Sequence, residues 1–161
     1  MQVRCFRQPG ILRGRNSALR ARQLIPSAEQ HNGCPFPPTP NPMPLAKIEV
    51  RRSRSAAEVT ALMEAVYLAM RDALKVPKDD RQIRYIEHRP EHFWVAPGKT
   101  ENYTLVDILM FPGRTTESKR TLYQAIVQRL GALGIASTDV MVVLTEPPME
   151  SWGIRGVPAS D

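Results

Sequence analysis

The regular pattern of apolar and polar residues begins at Leu45. Apolar residues alternate with charged ones from Leu45 to Arg51, which predicts a strand with one buried face. Ser55 then stands three positions before Glu58, the spacing of a capping box at the start of a helix. Apolar residues follow at three- and four-residue spacing, and they predict a helix of about five turns: Val59, Leu62, Met63, Val66, Met70, Ala73 and Leu74. Pro77 ends this helix, and residues 82–88 supply a second strand.

The same order of elements recurs about 59 residues later in the chain. Residues 103–111 predict a strand, and Thr115 or Thr116 with Glu117 opens a second helix. The buried stripe of that helix is predicted to contain Leu122, Ile126, Val127, Leu130 and Leu133. Gly134 is suited to a left-handed helix cap, and residues 139–146 form a strand rich in branched side chains.

Two strand–helix–strand units predict an α/β fold of defined topology. A helix between two strands implies that the strands pair in parallel through a right-handed crossover. The expected domain is one four-stranded sheet with two helices on one face. The other face is apolar enough to require a cover, which predicts an oligomer that packs its sheets together.

Composition changes sharply just before the first strand. Residues 1–42 contain six arginines, a single acid, both cysteines and seven prolines, whereas residues 43–161 carry 16 basic and 15 acidic side chains. The calculated pI of 9.7 therefore comes almost wholly from the extension. With so few apolar residues among Arg, Pro and Gly, residues 1–42 are expected to be disordered or to lie ahead of the true start of translation. A basic targeting or binding arm is the alternative interpretation.

Met43 and Pro44 stand at this change of composition. A proline nitrogen is an amide inside a chain, without basic character, but a secondary amine at a chain terminus. If translation starts at Met43 and the methionine is removed, Pro44 becomes a free amine at the head of a strand. If Pro44 is preceded by other residues, it only begins a strand, as prolines often do.

Several kinds of site are disfavoured by the same sequence. Residues 43–161 contain no cysteine, no Gly-rich phosphate loop and no nucleophile elbow. His88 and His92, with Glu87 and Glu91, do not have metal-ligand spacing, because Pro90 breaks any helix there and a strand separates neighbours onto opposite faces. We expect no cofactor and no metal, no nucleic-acid or membrane partner, and a cytoplasmic domain.

The combination and order of several short segments resembles the tautomerase superfamily. The segments are MPLAKIEV at the first strand, VPKDDR after the first helix, HRP, FPGRTTESKR leading into the second helix, and SWGIRG near the end. Across residues 44–161 the likeness is greatest to the malonate semialdehyde decarboxylase group and its uncharacterised relatives. The resemblance implies a homotrimer of double β-α-β subunits, with a catalytic N-terminal proline in a small pocket between the sheet and a neighbouring chain.

The resemblance also assigns roles to individual residues. Pro44 matches the catalytic proline, and Arg114 matches one of two arginines that bind the substrate carboxylate. An arginine beside a helix start suits a carboxylate clamp in its own right, although a solvated arginine is the alternative. Asp80 matches the acid that orients water or the reacting group, whereas a turn-capping role would suit it or Asp79 equally.

Two further candidates lie near the end of the chain. Trp152 matches the tryptophan that walls the family's pocket, and it also suits the anchor of a C-terminal hairpin. The family's second arginine falls at Pro112, which departs from the pattern. Arg155 either replaces that arginine or pairs with an acid across the trimer.

Three functions follow from these assignments. The first is a keto–enol tautomerase of small 2-oxo acids of the phenylpyruvate type, with Pro44 as general base. The second is a lyase resembling malonate semialdehyde decarboxylase or the related hydratases. The third is a non-catalytic oligomeric protein in which Pro44 stays blocked. Loss of the second arginine at Pro112 favours the tautomerase over the lyase.

Overall fold

The computed structural model describes residues 44–161, and the interpretation of residues 1–42 and Met43 lies outside the described residues. The elements of this part are, in chain order, β1 (Leu45–Val50), α1 (Ala56–Leu74), β2 (Ile83–Glu87), β3 (Thr104–Leu109), α2 (Thr116–Gly131), β4 (Val140–Thr145), β5 (Gly153–Ile154) and β6 (Val157–Pro158). The two predicted strand–helix–strand units are therefore present. Within residues 44–161, no helix combines the length and the apolar content that a bilayer crossing requires.

The four long strands form one mixed sheet in the order β2-β1-β3-β4. Within each unit the strands pair in parallel, as predicted: Ala46 lies opposite Ile83 in β1–β2, and Thr104 lies opposite Val140 in β3–β4. The two units join through an antiparallel pair at the centre, where Leu45 lies opposite Leu109. Consequently the start of β1 and the end of β3 meet at one edge of the sheet.

Local sequence signals set the helix ends. The capping box predicted at Ser55 and Glu58 is formed, with each side chain accepting a bond from the other residue's backbone N–H. Thr115 caps α2 by accepting a bond from the backbone N–H of Ser118. Gly134 is left-handed, with φ of 81°, as predicted.

Gly134 completes a Schellman motif at the end of α2. The N–H of Gly134 donates to the carbonyl of Gly131 at 3.0 Å, and the N–H of Ile135 donates to that of Leu130 at 3.1 Å. Leu133, which periodicity assigned to the buried stripe, is 44 % exposed. That assignment is wrong because the chain has already left the helix at Gly131, so helical spacing no longer decides which way the side chain points.

Both helices cover one face of the sheet, and the core lies between them and that face. The core takes alternate residues of the central strands together with the apolar stripes of the helices: Ala46, Ile48, Val50, Val106, Ile108, Leu62, Val66, Met70, Leu122, Ile126 and Leu130. Tyr67 is also buried, and its hydroxyl donates to the carbonyl of Lys78 at 3.0 Å. The stripe of α1 is therefore wider than the apolar pattern alone indicated.

The opposite face of the sheet is only partly covered within residues 44–161, where Tyr103 is 8 % exposed and packs against Phe93. Met141 and Val143 of β4 are 46 % and 41 % exposed on it. The same face carries an ion cluster, in which Lys47 Nζ lies 2.6 Å from Glu49 Oε1 and 3.3 Å from Asp107 Oδ2. The hydrogen bond from Lys47 lowers the pKa of Glu49, and the same bond raises the pKa of Lys47. This open face combines apolar surface with charges that are already paired.

Asp139 fixes the loop before β3 to the start of β4. It is 1 % exposed, and its carboxylate accepts bonds from the backbone N–H of Thr100 at 2.7 Å and from the Thr100 hydroxyl at 2.5 Å. The hydroxyl bond, followed by the backbone bond, lowers the pKa of Asp139. Because both donors favour the ionised carboxylate, this contact stabilises the fold only while the carboxylate is charged.

We predict that Asp139→Asn lowers the melting temperature at pH 7 and that the difference from the wild type shrinks in acid. A lowered folded pKa adds stability above the unfolded value of about 4, and this stability is lost as the pH falls through the folded pKa. Thermal melts from pH 7 to pH 2 measure the difference. Glu87→Gln, which neutralises an exposed carboxylate, is the control. A difference that stays constant down to pH 2 would contradict the role given to the charge.

Candidate active site

One edge of the sheet gathers segments from both units. The starts of β1 and β2 lie at this edge, because these strands are parallel, and the ends of β3 and β4 lie there as well. The N–H of Ala46 donates to the carbonyl of Gln82 at 2.9 Å, and the N–H of Met110 donates to that of Thr145 at 3.0 Å. Residues just outside the four strands at this edge are therefore neighbours in space. We call it the proline edge.

Pro44 stands directly before β1, at the centre of the proline edge. Continuing the β1–β3 register by one position places it opposite Met110, and both residues are buried. A strand start next to a paired neighbour accepts a proline easily, because the missing N–H leaves no ladder bond unmade. Pro44, the proline singled out in the sequence, therefore lies at the start of a central strand of the sheet. It precedes by two residues Ala46, whose N–H donates to the carbonyl of Gln82.

Asp80 lies in the turn that leads into β2. The turn is held by the bond from Tyr67 to Lys78 and by Arg81, whose guanidinium lies 4.2 Å from the centre of the Tyr67 ring. One oxygen of Asp80, Oδ1, accepts a bond from the Gln82 side chain at 2.9 Å. The other oxygen, Oδ2, is buried and has no hydrogen-bond partner among residues 44–161. A buried carboxylate oxygen without a hydrogen-bond donor is energetically costly, so this atom is suited to accept a hydrogen bond from a ligand or water.

Arg114 follows β3 and stands directly before Thr115, the N-cap of α2. Gly113 ahead of it has φ of 107°, a backbone conformation that glycine tolerates and that turns the chain from the strand toward the helix. The Arg114 side chain is half-buried and forms no ion pair with any residue from 44 to 161. A cation without a protein partner beside a helix N-terminus offers two complementary sources of positive potential to an anion.

Trp152 packs against Phe111, which lies three residues before Arg114. Its ring meets Phe111 edge-on, with centroids 4.8 Å apart and an interplanar angle of 84°. Its indole N–H donates to the carbonyl of Pro147, just after β4, at 3.3 Å. Trp152 is 8 % exposed, so it is both an anchor of the C-terminal segment and an apolar surface at the proline edge.

Arg155 occupies a different setting. It and Gly156 form the tip of the β5–β6 hairpin, with φ of 55° and 88°, as a tight two-residue turn requires. The side chain is exposed and has no ion pair within residues 44–161. Pro112, at the position of the family's second arginine, is also exposed.

Histidine and lysine near the sheet are engaged elsewhere. His88 Nε2 lies 2.5 Å from Glu49 Oε2, and its ring packs against Phe93 with centroids 5.0 Å apart. Lys47, whose pKa is raised by its bond to Glu49, stays protonated and is unsuited to act as a base. No group of three potential metal ligands occurs among the described residues.

The known proteins that this chain resembles in sequence are tautomerases. The sequence profile described as tautomerase enzyme matches residues 80–155. The probable tautomerase YusQ of Bacillus subtilis (strain 168) is 28% identical over 116 residues, which cover 68% of this chain and 91% of the relative. The probable tautomerase RSp0893 of Ralstonia nicotianae is 35% identical over 57 residues, which cover 35% of this chain and 81% of the relative.

The chain belongs to the tautomerase superfamily. It is an enzyme of the tautomerase type. The structure of malonate semialdehyde decarboxylase is 28% identical, with a TM-score of 0.62 over 67% of this chain and 88% of that chain. The symmetric trimer of the wild-type fused 4-OT Q0 is 29% identical, with a TM-score of 0.61 over 72% of this chain and 96% of that chain. The expected α/β fold, a four-stranded sheet with two helices, is confirmed by these comparisons, and the trimer stays a prediction.

Sequence reasoning missed several contacts of this tautomerase's proline edge. The bond from Gln82 to Asp80 joins residues only two positions apart, and a polar residue following an Asp-Asp turn could have suggested it. The contact of Phe111 with Trp152 joins residues far apart in the chain, and nothing in either local pattern indicates it. Lys119 of α2 pairs with Glu146 after β4, which ties the helix that follows Arg114 to the sheet.

Proposed function

We propose that this tautomerase acts on small 2-oxo acids of the phenylpyruvate type, with Pro44 as general base in a mature chain that begins at Pro44. The observation that carries the proposal is that the segments bearing the candidate residues lie at the same edge of the sheet. Pro44 leads the central strand there, Arg114 stands before α2 in the segment that follows the paired strand, and Asp80 lies in the turn that leads into β2.

A free Pro44 has the right acid–base properties for this reaction. An α-amino group has a pKa of about 8 in water, and burial together with a nearby cation favours the neutral form. Pro44 is buried, and Arg114 brings a positive charge to the same edge. A neutral secondary amine then takes a proton from C3 of the 2-oxo acid, and the resulting ammonium returns a proton to the C2 oxygen directly or through water, which gives the enol and restores the amine. Ketonisation runs through the same transfers in reverse.

Arg114 supplies the anchor for the substrate carboxylate. Its guanidinium is without an ion-pair partner among the described residues, and the first N–H groups of α2 lie just beyond Thr115. A carboxylate held there is stabilised by charge-assisted hydrogen bonds, and the enolate that develops at C2 benefits from the same potential. The Trp152 and Phe111 pair offers an apolar wall to an aromatic or aliphatic substrate tail.

A lyase activity is the second candidate, and two observations favour it. The structural likeness to malonate semialdehyde decarboxylase extends over 88% of that chain. In addition, Oδ2 of Asp80 is buried without a partner among residues 44–161, so it is suited to accept a bond from water. Against this candidate, Pro112 replaces an arginine, which leaves one guanidinium where a β-carbonyl and a carboxylate would both need a cation.

We further propose that the subunits assemble as a homotrimer through the open face of the sheet. Met141 and Val143 are large exposed apolar side chains on that face. Burial of such surface is the main driving force for stable association. The fused 4-OT Q0, which this chain resembles at 29% identity, is a symmetric trimer.

The first prediction concerns the amine. A chain that begins at Pro44 should convert phenylenolpyruvate to the ketone, and one extra residue ahead of Pro44 should lower kcat by roughly 10²-fold or more, since an amide nitrogen cannot act as the base. Circular dichroism and light scattering check that both forms fold and assemble alike. Equal turnover by the two forms would refute the proline mechanism, and equal inactivity would favour the lyase or a different substrate class.

The second prediction concerns Arg114. Arg114→Gln should lower kcat/KM by on the order of 10²-fold, because the charge that holds the carboxylate and the developing enolate is gone. Its thermal stability should change little, since no ion pair within residues 44–161 is lost. Arg120→Gln is the matched control, because Arg120 lies on the exposed side of α2 and pairs only with the neighbouring Glu117 among these residues. A similar loss of kcat/KM in both variants would mean that removing any positive charge near α2 lowers the rate, and that Arg114 does not bind the carboxylate specifically.

The third prediction concerns assembly. Light scattering should give three times the mass of one chain for the wild type and a lower mass for Val143→Asp, because a charge would be buried in the interface. Tyr123→Asp, at a 38 % exposed position of α2, should leave the mass unchanged. A wild-type monomer at micromolar concentration would contradict the trimer.

A further inference from the structure

A cavity lies at the end of the domain opposite the proline edge. Its volume is about 130 Å³, and it lies between the segment after β1 and the end of α2. Since one water molecule needs at least about 10–15 Å³ of such space, the cavity has room for several waters or a small organic ion. Its polar lining comes from Arg52, Arg54, Glu58 and Asn102.

Arg54 is the unusual residue of this cavity. Both terminal nitrogens of its guanidinium are buried, and neither has a hydrogen-bond partner among residues 44–161. A buried donor without a partner is costly, and the cost is larger for a charged group. The long stem of arginine allows the guanidinium to turn its donors into the adjoining cavity.

The one carboxylate in the cavity lining is already engaged. Glu58 Oε2 accepts bonds from the N–H of Ser55 at 2.9 Å and from its hydroxyl at 2.8 Å, while Oε1 lies 3.4 Å from Arg52 Nη2. The bonds from Ser55 lower the pKa of Glu58, so it stays ionised. Two guanidinium groups and one carboxylate leave the lining with one net positive charge, and both Arg52 and Arg54 contribute to the lowered pKa of Glu58 after the bonds from Ser55.

The internal repeat relates Arg54 to Arg114. Arg54 stands directly before Ser55, the N-cap of α1, as Arg114 stands directly before Thr115, the N-cap of α2. The left-handed residues at the two helix ends correspond as well, Lys75 with φ of 59° and Gly134 with φ of 81°. The segment that lines the Arg54 cavity is thus built like the one that carries Arg114.

The two ends differ at the residue that leads the paired strand. Pro44 precedes β1 at one end, and Tyr103 precedes β3 at the other. Tyr103 is 8 % exposed, its hydroxyl lies 3.4 Å from Met141 Sδ, and burial raises its pKa. A neutral phenol within the chain provides no base at neutral pH. The Arg54 end therefore has an arginine that corresponds to Arg114, but it has no proline that corresponds to Pro44.

We propose that the Arg54 cavity is a second, non-catalytic site for a small carboxylate. The carboxylate comes either from a free organic acid or from an acidic side chain of a neighbouring copy of this chain. This inference does not depend on the proposed function, because neither Pro44 nor Arg114 contributes to the cavity.

Malonate titrations of the full chain, followed by amide NMR, test the site directly. The amide signals of Asn102, Gly134 and Ile135 should shift with malonate in the wild type and in Arg114→Gln. In Arg54→Gln the apparent Kd at these signals should rise roughly tenfold or more, as loss of a charge-assisted bond predicts. Arg54→Lys should recover the binding only in part, because an ammonium group lacks the two-pronged geometry of a guanidinium.

Melting and light-scattering experiments distinguish the two sources and control for folding. Without malonate, Arg54→Gln should melt at or above the wild-type temperature, since it removes an unpartnered buried charge. Malonate-dependent shifts that Arg54→Gln abolishes support a free acid as the ligand. No shifts, combined with weaker assembly of Arg54→Gln, support a neighbouring carboxylate. Unshifted signals with unchanged assembly, or shifts that persist in Arg54→Gln, overturn the proposal.

Discussion

The antiparallel pairing of β1 with β3 determines most of what this domain can do. Each strand–helix–strand unit alone is a two-stranded ribbon with one helix, too small to bury a core. Pairing the two units through their first strands gives a four-stranded sheet and lets both helices share one apolar layer. The same pairing places the start of one unit against the end of the other, so each edge of the sheet is assembled from both units.

Local signals in the sequence were sufficient for the four long strands, the two helices and the helix caps at Ser55 and Gly134. Ser55 with Glu58, and Gly134, specify their caps through bonds within a few residues, which is why the pattern alone identified these residues. Leu133 shows the limit of periodicity, because a spacing rule continues past the point where the helix stops.

Contacts between distant residues were not accessible in the same way. Nothing near Phe111 indicates that it meets Trp152, and the buried oxygen of Asp80 depends on a turn anchored by Tyr67 of α1. The site residues Pro44, Arg114, Asp80, Trp152 and Arg155 came from a family likeness, and their roles remain predictions. The structure brings the first four to segments that meet at one edge, whereas Arg155 lies at an exposed hairpin tip. Arg54 had no distinguishing signal, because burial of a charged side chain cannot be read from its neighbours in the chain.

The internal repeat has a consequence for how substitutions spread through the molecule. A polypeptide has a single amino terminus, so a duplicated frame can present a terminal amine at only one of its two ends. The residues at the other end do not have to preserve a terminal amine, so the side chains that line it can be substituted more widely. The β1–β3 pair has no such freedom, since Ile48 and Val106 at its middle support both ends at once. A shift at this shared centre is expected to disturb the two edges together, whereas changes at Tyr103 or Asn102 concern one edge alone.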